Sequence, residues 1–359
     1  MSKIGKICLI VGTRPNFMKI APIINRMKFL EIDFILVHTG QHYDNVMSRD
    51  IMNDLNLDKP DYFLDVRGGS HAVQTSKIMK RFEKVCIEMK PSLVVVPGDV
   101  NSTLACALVA AKMNIPLAHI ESGLRSFDKN MPEEKNRILV DHISDLLFVS
   151  EISGVGNLKK EGISGDMVHL VGNCMIDSLV SILPKSKEKK PWERFNLSEK
   201  EYTLVTLHRP SNVDKNIEKT IELLNLLSNE NKLLFPVHPR TMKQITKYKK
   251  QLNDNIVLCD PLSYIDFLGV MSEANIVVTD SGGIQEETTY LGVQCVTFRD
   301  NTERPITVDI GTNHLVGTNI EDLLATYEKI ISGDKKNGKI PEKWDGKTAD
   351  RILDILINL

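Results

Sequence analysis

The chain has 359 residues, 42% of them hydrophobic, which is enough to bury two medium cores and excludes a largely disordered protein. Its 45 basic and 47 acidic side chains leave a formal charge of −2, so no global basic field recruits nucleic acid or an anionic membrane. Any nucleotide must be held by local chemistry.

The first ten residues run into an apolar stretch too short for a secretory signal and followed by Gly12-Thr13-Arg14-Pro15 rather than a cleavage site. No apolar run approaches the roughly 18 residues that a spanning helix needs. The six cysteines are scattered without a CxxC pair and read as buried, reduced thiols rather than disulfides or a zinc site, which fits a soluble cytoplasmic protein.

In chain order, short β-rich runs at 6–11, 34–38, 93–96, 117–120, 146–149 and 168–171 alternate with helix-like segments, the pattern of a parallel sheet covered on both faces. A second series follows at 202–207, 233–237, 256–258, 275–279 and 294–298. Between them lies a lysine-rich, proline-bounded stretch, 184–191, that reads as a solvated linker. The expectation is therefore two α/β domains joined near 172–195. At the end, 347–359 spaces Ile352, Leu353, Ile355, Leu356 and Leu359 as an amphipathic helix that needs a surface to cover.

The turn after the first strand, Gly12-Thr13-Arg14-Pro15-Asn16-Phe17-Met18-Lys19, is not GxGxxG, so a dinucleotide fingerprint is missing. An arginine and a lysine at a strand-to-helix junction favour an anion or form a surface ion pair. Further on, Gly98-Asp99, His119-Ile120-Glu121 and Pro132-Glu133-Glu134 place acids after strand ends or in a loop, where converging carboxylates serve as acid and base. Thr206-Leu207-His208-Arg209 and Val237-His238-Pro239-Arg240 are histidine-bearing turns suited to phosphate or sugar contact, with no metal-ligand spacing. Asp280-Ser281-Gly282-Gly283 opens a helix whose N-terminus and glycines suit a diphosphate, with Glu287 or Glu286 one turn on to accept ribose hydroxyls. Arg299 and Arg304 lie just downstream, suited to bidentate phosphate contacts. Neither a Walker loop nor a GxSxG elbow occurs.

These segments, with Ala21-Pro22, Thr39-Gly40-Gln41-His42, Ser122-Gly123-Leu124-Arg125 and Asn136-Arg137, together resemble the non-hydrolysing UDP-N-acetylglucosamine 2-epimerases from about residue 10 to residue 305. The resemblance implies a GT-B fold: two Rossmann-like domains whose parallel sheets face a central cleft, 1–172 with the catalytic carboxylates and 173–340 binding UDP, and a terminal helix, 341–359, packing back on the first domain. It implies a homodimer that interconverts UDP-GlcNAc and UDP-ManNAc with neither NAD nor metal and supplies sugars for surface polysaccharide or glycan synthesis. At matching positions it assigns Asp99, Glu121, Glu133 and His208 to catalysis, and Arg14, Lys19, Phe267, Ser281, Gly282, Gly283, Glu287 and Arg304 to the UDP-sugar. A second, activating UDP-GlcNAc would use Gln41, Arg209 and His238, although Asp44 and Val73 stand where a glutamine and an arginine are expected. The rival readings are a UDP-sugar glycosyltransferase of the same architecture, a hydrolysing epimerase, and a non-catalytic UDP-sugar sensor.

Overall fold

A computed structural model describes residues 5–41, 51–207 and 217–358. It divides into unit 1 (residues 1–181 and 342–359) and unit 2 (residues 182–341).

Unit 1 is a seven-stranded sheet ordered β3-β2-β1-β4-β5-β6-β7. Its strands are β1 (Ile7–Val11), β2 (Phe34–His38), β3 (Tyr62–Phe63), β4 (Leu93–Pro97), β5 (Leu117–Ser122), β6 (Leu146–Val149) and β7 (Val168–Leu170). Every pairing is parallel. β1 and β4 are apolar along their whole length because helices cover both faces, and Ile10, Val37, Val94 and Val96 pack with Phe82 in one core. The helices are α1 (Arg14–Phe29), α2 (His71–Met89), α3 (Asn101–Lys112), α4 (Pro132–Ile143), α5 (Ile152–Lys160) and α6 (Cys174–Lys189).

Unit 2 repeats the plan with six parallel strands ordered β10-β9-β8-β11-β12-β13. These are β8 (Tyr202–Thr206), β9 (Lys232–Pro236), β10 (Ile256–Cys259), β11 (Ile276–Thr279), β12 (Gln294–Thr297) and β13 (Asn313–Leu315). Val205, Phe235, Val278, Val296 and Tyr327 form its core. Its helices are α7 (Ile217–Leu227), α8 (Pro239–Ile245), α9 (Tyr264–Ser272), α10 (Gly282–Leu291), α11 (Pro305–Asp309) and α12 (Ile320–Ile331).

The last helix, α13 (Thr348–Ile357), is grouped with unit 1. Ile352, Leu353 and Leu356 are buried, the Ala349 N–H donates to Asp177 Oδ2 at 2.8 Å, and Arg26 of α1 pairs with Asp350 at 2.6 Å.

Two features differ from the sequence reading. The stretch 184–189 is helical, the end of α6, with Pro184 inside the helix, and the unit boundary falls within that helix. An interior proline loses one backbone hydrogen bond. Here burial of Ile182 and Ser186 on the inner side offsets it, with Ser186 donating to the Ile265 carbonyl, while Lys187 and Lys189 pair outward with Glu273 (3.2 Å) and Asp266 (2.5 Å). The lysines are exposed positions around the one buried stripe of a helix, Ile182 and Ser186. Strands β3 and β13 were not foreseen, being two and three residues long and lacking an apolar run.

Both sheets reverse their order of connection once, between β1 and β4 in unit 1 and between β8 and β11 in unit 2. In open parallel sheets, ligands bind at the carboxyl ends of the strands flanking such a reversal. Gly12–Lys19 and Gly98-Asp99 follow the first pair, and Asp280-Ser281-Gly282-Gly283 follows β11.

Candidate functional site

In unit 1, two of the acids singled out in the sequence, Asp99 and Glu121, lie on neighbouring turns, and the third, Glu133, is on the helix that contacts Asp99. Glu121 lies inside β5 rather than beyond it: the register shifts between Ile120 and Ser122, and Glu121 is held at φ +68°. This β-bulge re-aims one side chain without ending the strand. The Glu121 carboxylate is buried and ion-paired with Lys19, which reaches it from α1. Gly98 separates β4 from Asp99 at φ +65°, a left-handed conformation that suits glycine. A methyl group there would lie 2.8 Å from Lys19 Nζ and 3.3 Å from Glu121 Oε2, so the loop carrying Asp99 passes directly over this ion pair.

Asp99 pairs with Arg137 of α4, and its carbonyl accepts from Asn136 Nδ2 at 2.8 Å. Those contacts bring the second turn of α4 to Asp99, and Glu133 precedes Asn136 and Arg137 by three and four residues, on the same side of the helix. Glu133 occupies the first turn, not a loop as expected, because Pro132 fits the first helical position, where its missing N–H costs nothing. The two adjacent glutamates then differ sharply. Glu134 is buried and filled: it accepts from Ser126 N (2.9 Å), Ser126 Oγ (2.9 Å), Phe127 N (2.8 Å) and Arg137 Nη1 (2.5 Å). Glu133 is half-buried and makes no hydrogen bond or ion pair among the described residues. It is the available one.

Beneath these loops, Asp141 of α4 is fully buried. Desolvation would raise its carboxyl, but hydrogen bonds and charge from His119 and Arg125 hold it below the usual carboxylate range. Arg125 also clasps Glu161 through Nε (2.8 Å) and Nη2 (2.7 Å). His119 and Asn16 stand within sequence motifs but carry no role there, and Asp141 lies in none of those motifs. Asn16 Oδ1 accepts the Gly12 and Thr13 amides at 3.1 and 3.0 Å, so that turn is closed by its own side chain. Arg14 is half-buried at the first position of α1. Gln41 accepts the amide and hydroxyl of Ser102 at 2.9 and 2.7 Å.

Unit 2 gathers a second group. Ser281 is the N-cap of α10, yet its side chain makes no capping hydrogen bond, whereas Ser263 and Asn319 do cap α9 and α12. The first-turn amides of α10, beginning at Gly282 and Gly283, are therefore free of that competitor and carry the positive end of the helix dipole. A Cβ on Gly282 would sit 2.5 Å from Arg304 Nη1, so only glycine lets the guanidinium approach the helix start this closely.

Arg304 is buried between Glu286 (Nε, 2.9 Å) and Glu303 (Nη1, 2.6 Å), and Glu303 also takes Arg299 at 2.9 Å. Glu287 is buried and accepts from the Tyr264 hydroxyl at 2.8 Å. The sequence left Glu286 and Glu287 as alternatives for a ribose; here Glu286 serves Arg304, and Glu287 faces α9, the helix that carries half-buried Phe267. His238 is exposed two residues beyond β9. His208 and Arg209 lie outside the described residues, as does Asp44.

A family model described as UDP-N-acetylglucosamine 2-epimerase matches residues 25–357. The UDP-N-acetylglucosamine 2-epimerase of Methanocaldococcus jannaschii is 42% identical, over 98% of this chain and 98% of its own. A Pseudomonas aeruginosa UDP-2,3-diacetamido-2,3-dideoxy-D-glucuronate 2-epimerase is 39% identical, over 99% of this chain and all of its own. The crystal structure of the M. jannaschii UDP-GlcNAc 2-epimerase in complex with UDP-GlcNAc and UDP superposes with a TM-score of 0.90 at 40% identity, covering 99% of this chain and 100% of that one. The fold is accordingly the GT-B fold of that protein.

Proposed function

This chain belongs to the UDP-N-acetylglucosamine 2-epimerase family, and we propose that it interconverts UDP-GlcNAc and UDP-ManNAc by inverting C2 of the sugar. The observation that supports this reading is the closeness of the Asp99 and Glu121 turns at the reversal point of the unit 1 sheet, with Glu133 on the helix whose Asn136 and Arg137 hold Asp99. A sugar kept on its nucleotide and inverted at carbon needs acid and base groups, and this cluster provides them.

The C2 proton is not next to a carbonyl, so its removal alone would leave an unstabilised carbanion. Loss of UDP from C1 shares the work. As a carboxylate takes the C2 proton, the C2–H electron pair becomes the C1=C2 double bond, and the C1–O pair leaves with the β-phosphate. The products are bound 2-acetamidoglucal and UDP. In return, the phosphate oxygen attacks C1 while a second acid delivers a proton to the opposite face of C2, and the configuration inverts.

Charge on the departing diphosphate is met in unit 2 by the amides of α10, beside which Arg304 is held, with Ser281 and Glu287 at the same helix. Preorganised donors of this kind stabilise developing charge by several kcal/mol. Arg14, Lys19, Phe267 and His208 complete the assignment, and Gln41, Arg209 and His238 a second, activating UDP-GlcNAc site. On the same reading the enzyme works as a homodimer in the cytoplasm, consistent with six cysteines that form no disulfide, and its UDP-ManNAc feeds surface polysaccharide or glycan synthesis.

The test is proton NMR of the purified protein with UDP-GlcNAc alone. New UDP-ManNAc signals at constant total nucleotide sugar support the reading. Free ManNAc with UDP would make it a hydrolase, and turnover only with an added acceptor would make it a transferase. Turnover of only the diacetamido-glucuronate nucleotide would move the substrate to that of the P. aeruginosa relative.

A further inference from the structure

We propose that His119 is a positioning residue for the two acids Asp99 and Glu121, tying the turn that carries one to the bulge that carries the other. The inference rests on the epimerase reading and deepens it.

His119 lies in β5, two residues before Glu121, and is completely buried. Both ring nitrogens are engaged at 2.7 Å: Nε2 with the Gly98 carbonyl, immediately before Asp99, and Nδ1 with Asp141 Oδ1. A carbonyl can only accept, so Nε2 carries a proton and donates it. Asp141 continues the connection, its Oδ2 accepting the Gly123 N–H at 3.1 Å and pairing with Arg125 at 2.7 Å. The Nε2 contact therefore ties the Gly98 turn directly to β5, while Asp141 orients the ring and also holds the Gly123 amide. The tie joins the turn that carries Asp99 to the strand that carries Glu121.

The joined segments each hold a residue at a left-handed backbone conformation, Gly98 at φ +65° and Glu121 at φ +68°. Such residues persist where their surroundings over-determine them, and they gather at sites where placement matters. Burying a histidine requires only that its nitrogens be satisfied; it does not require that one of the partners lie on an acid-bearing turn. Delivery and removal of a proton on opposite faces of one carbon depend on the separation of the acids, and a misplacement of about 1 Å costs on the order of 100-fold in rate.

The amide variants divide the two contacts. The His119→Gln side chain is long enough to place its amide N–H where Nε2 stood, keeping the Gly98 carbonyl. The shorter His119→Asn side chain ends where Nδ1 stood, keeping Asp141 and releasing Gly98. With wild type in the same assay, we expect His119→Asn to lose about 100-fold in kcat with KM and UDP affinity within about 2-fold, and His119→Gln to retain kcat within about 5-fold. Should His119→Asn fail to fold, Asp141→Asn, which keeps shape but drops the charge, is expected to lower kcat at least about 10-fold with UDP affinity unchanged. Equal kcat in the two His119 variants, or unchanged kcat in Asp141→Asn, would overturn the inference while leaving the epimerase reading intact. A wild type that forms no UDP-ManNAc would instead remove that reading.

Discussion

In unit 1 the polar groups are tied to one another: Glu121 to Lys19, Asp99 to Arg137, Arg137 to Glu134, and His119 to both Gly98 and Asp141. In unit 2 the start of α10 is left uncapped by its own serine, and the nearest cation, Arg304, is held in place by two glutamates. The contrast follows from what each must do. On the proposed function, Asp99 and Glu121 move a proton on and off a carbon and have to keep a fixed separation, so they are braced in advance. Groups that receive a nucleotide must leave donors without an internal acceptor, since any cap would have to be displaced.

The strongest way to break this comparison is to neutralise the unit 1 acids one at a time. Asp99→Asn, Glu121→Gln and Glu133→Gln are each expected to cut turnover at least ~100-fold with UDP binding by calorimetry within about 3-fold. Parallel loss of UDP affinity would mean that these acids hold the nucleotide rather than only move the proton.

The response to pH separates the units next. Burial pushes the Asp177 carboxyl of unit 1 up to about 6 from an unfolded value near 3.8, despite the Ala349 amide it accepts. Between those values the folded form holds a proton that the unfolded form has lost, so stability falls as pH rises from about 4 to 6, by about 3 kcal/mol. In unit 2, burial alone would raise Asp266, but Lys189 and Arg194 hold it below its ordinary value, so its contribution is present above about pH 4 and lost on acidification. Asp177→Asn is expected to abolish the loss between pH 4 and 6 in chemical denaturation. A variant curve that keeps the slope would assign it elsewhere.

A smaller effect tests the open helix start. Gly282→Ala puts a methyl group 2.5 Å from Arg304 Nη1 and should weaken UDP about 10-fold, near 1.4 kcal/mol, with saturated turnover within about 3-fold. Unchanged UDP affinity would place the diphosphate away from this turn.

Much of this was legible in the sequence because parallel, doubly covered strands are continuous apolar runs. β2 and β6 begin and end at the residues read from the sequence, and most of the other strands that were read differ by only one or two positions. What escaped had physical reasons. β3 and β13 are too short to show a period. The lysines of α6 hid a helix because their buried partners, Ile182 and Ser186, are only every fourth residue. The bulge at Glu121 depends on pairing with β6, which no local pattern records. Asp99 and Glu121 were legible as polar residues at apolar strand ends, whereas Glu133 was expected in a loop although Pro132 marks a first helical position. His119 and Asp141 were not legible, because a buried hydrogen bond between residues 22 apart leaves no spacing signal.

The central claim is that the C2 proton leaves the sugar during turnover. Proton NMR of the reaction in D2O tests it directly. The account predicts UDP-ManNAc carrying deuterium at C2, and UDP-GlcNAc that gains deuterium there as equilibrium is approached. Epimerised product that keeps its C2 proton throughout would contradict it.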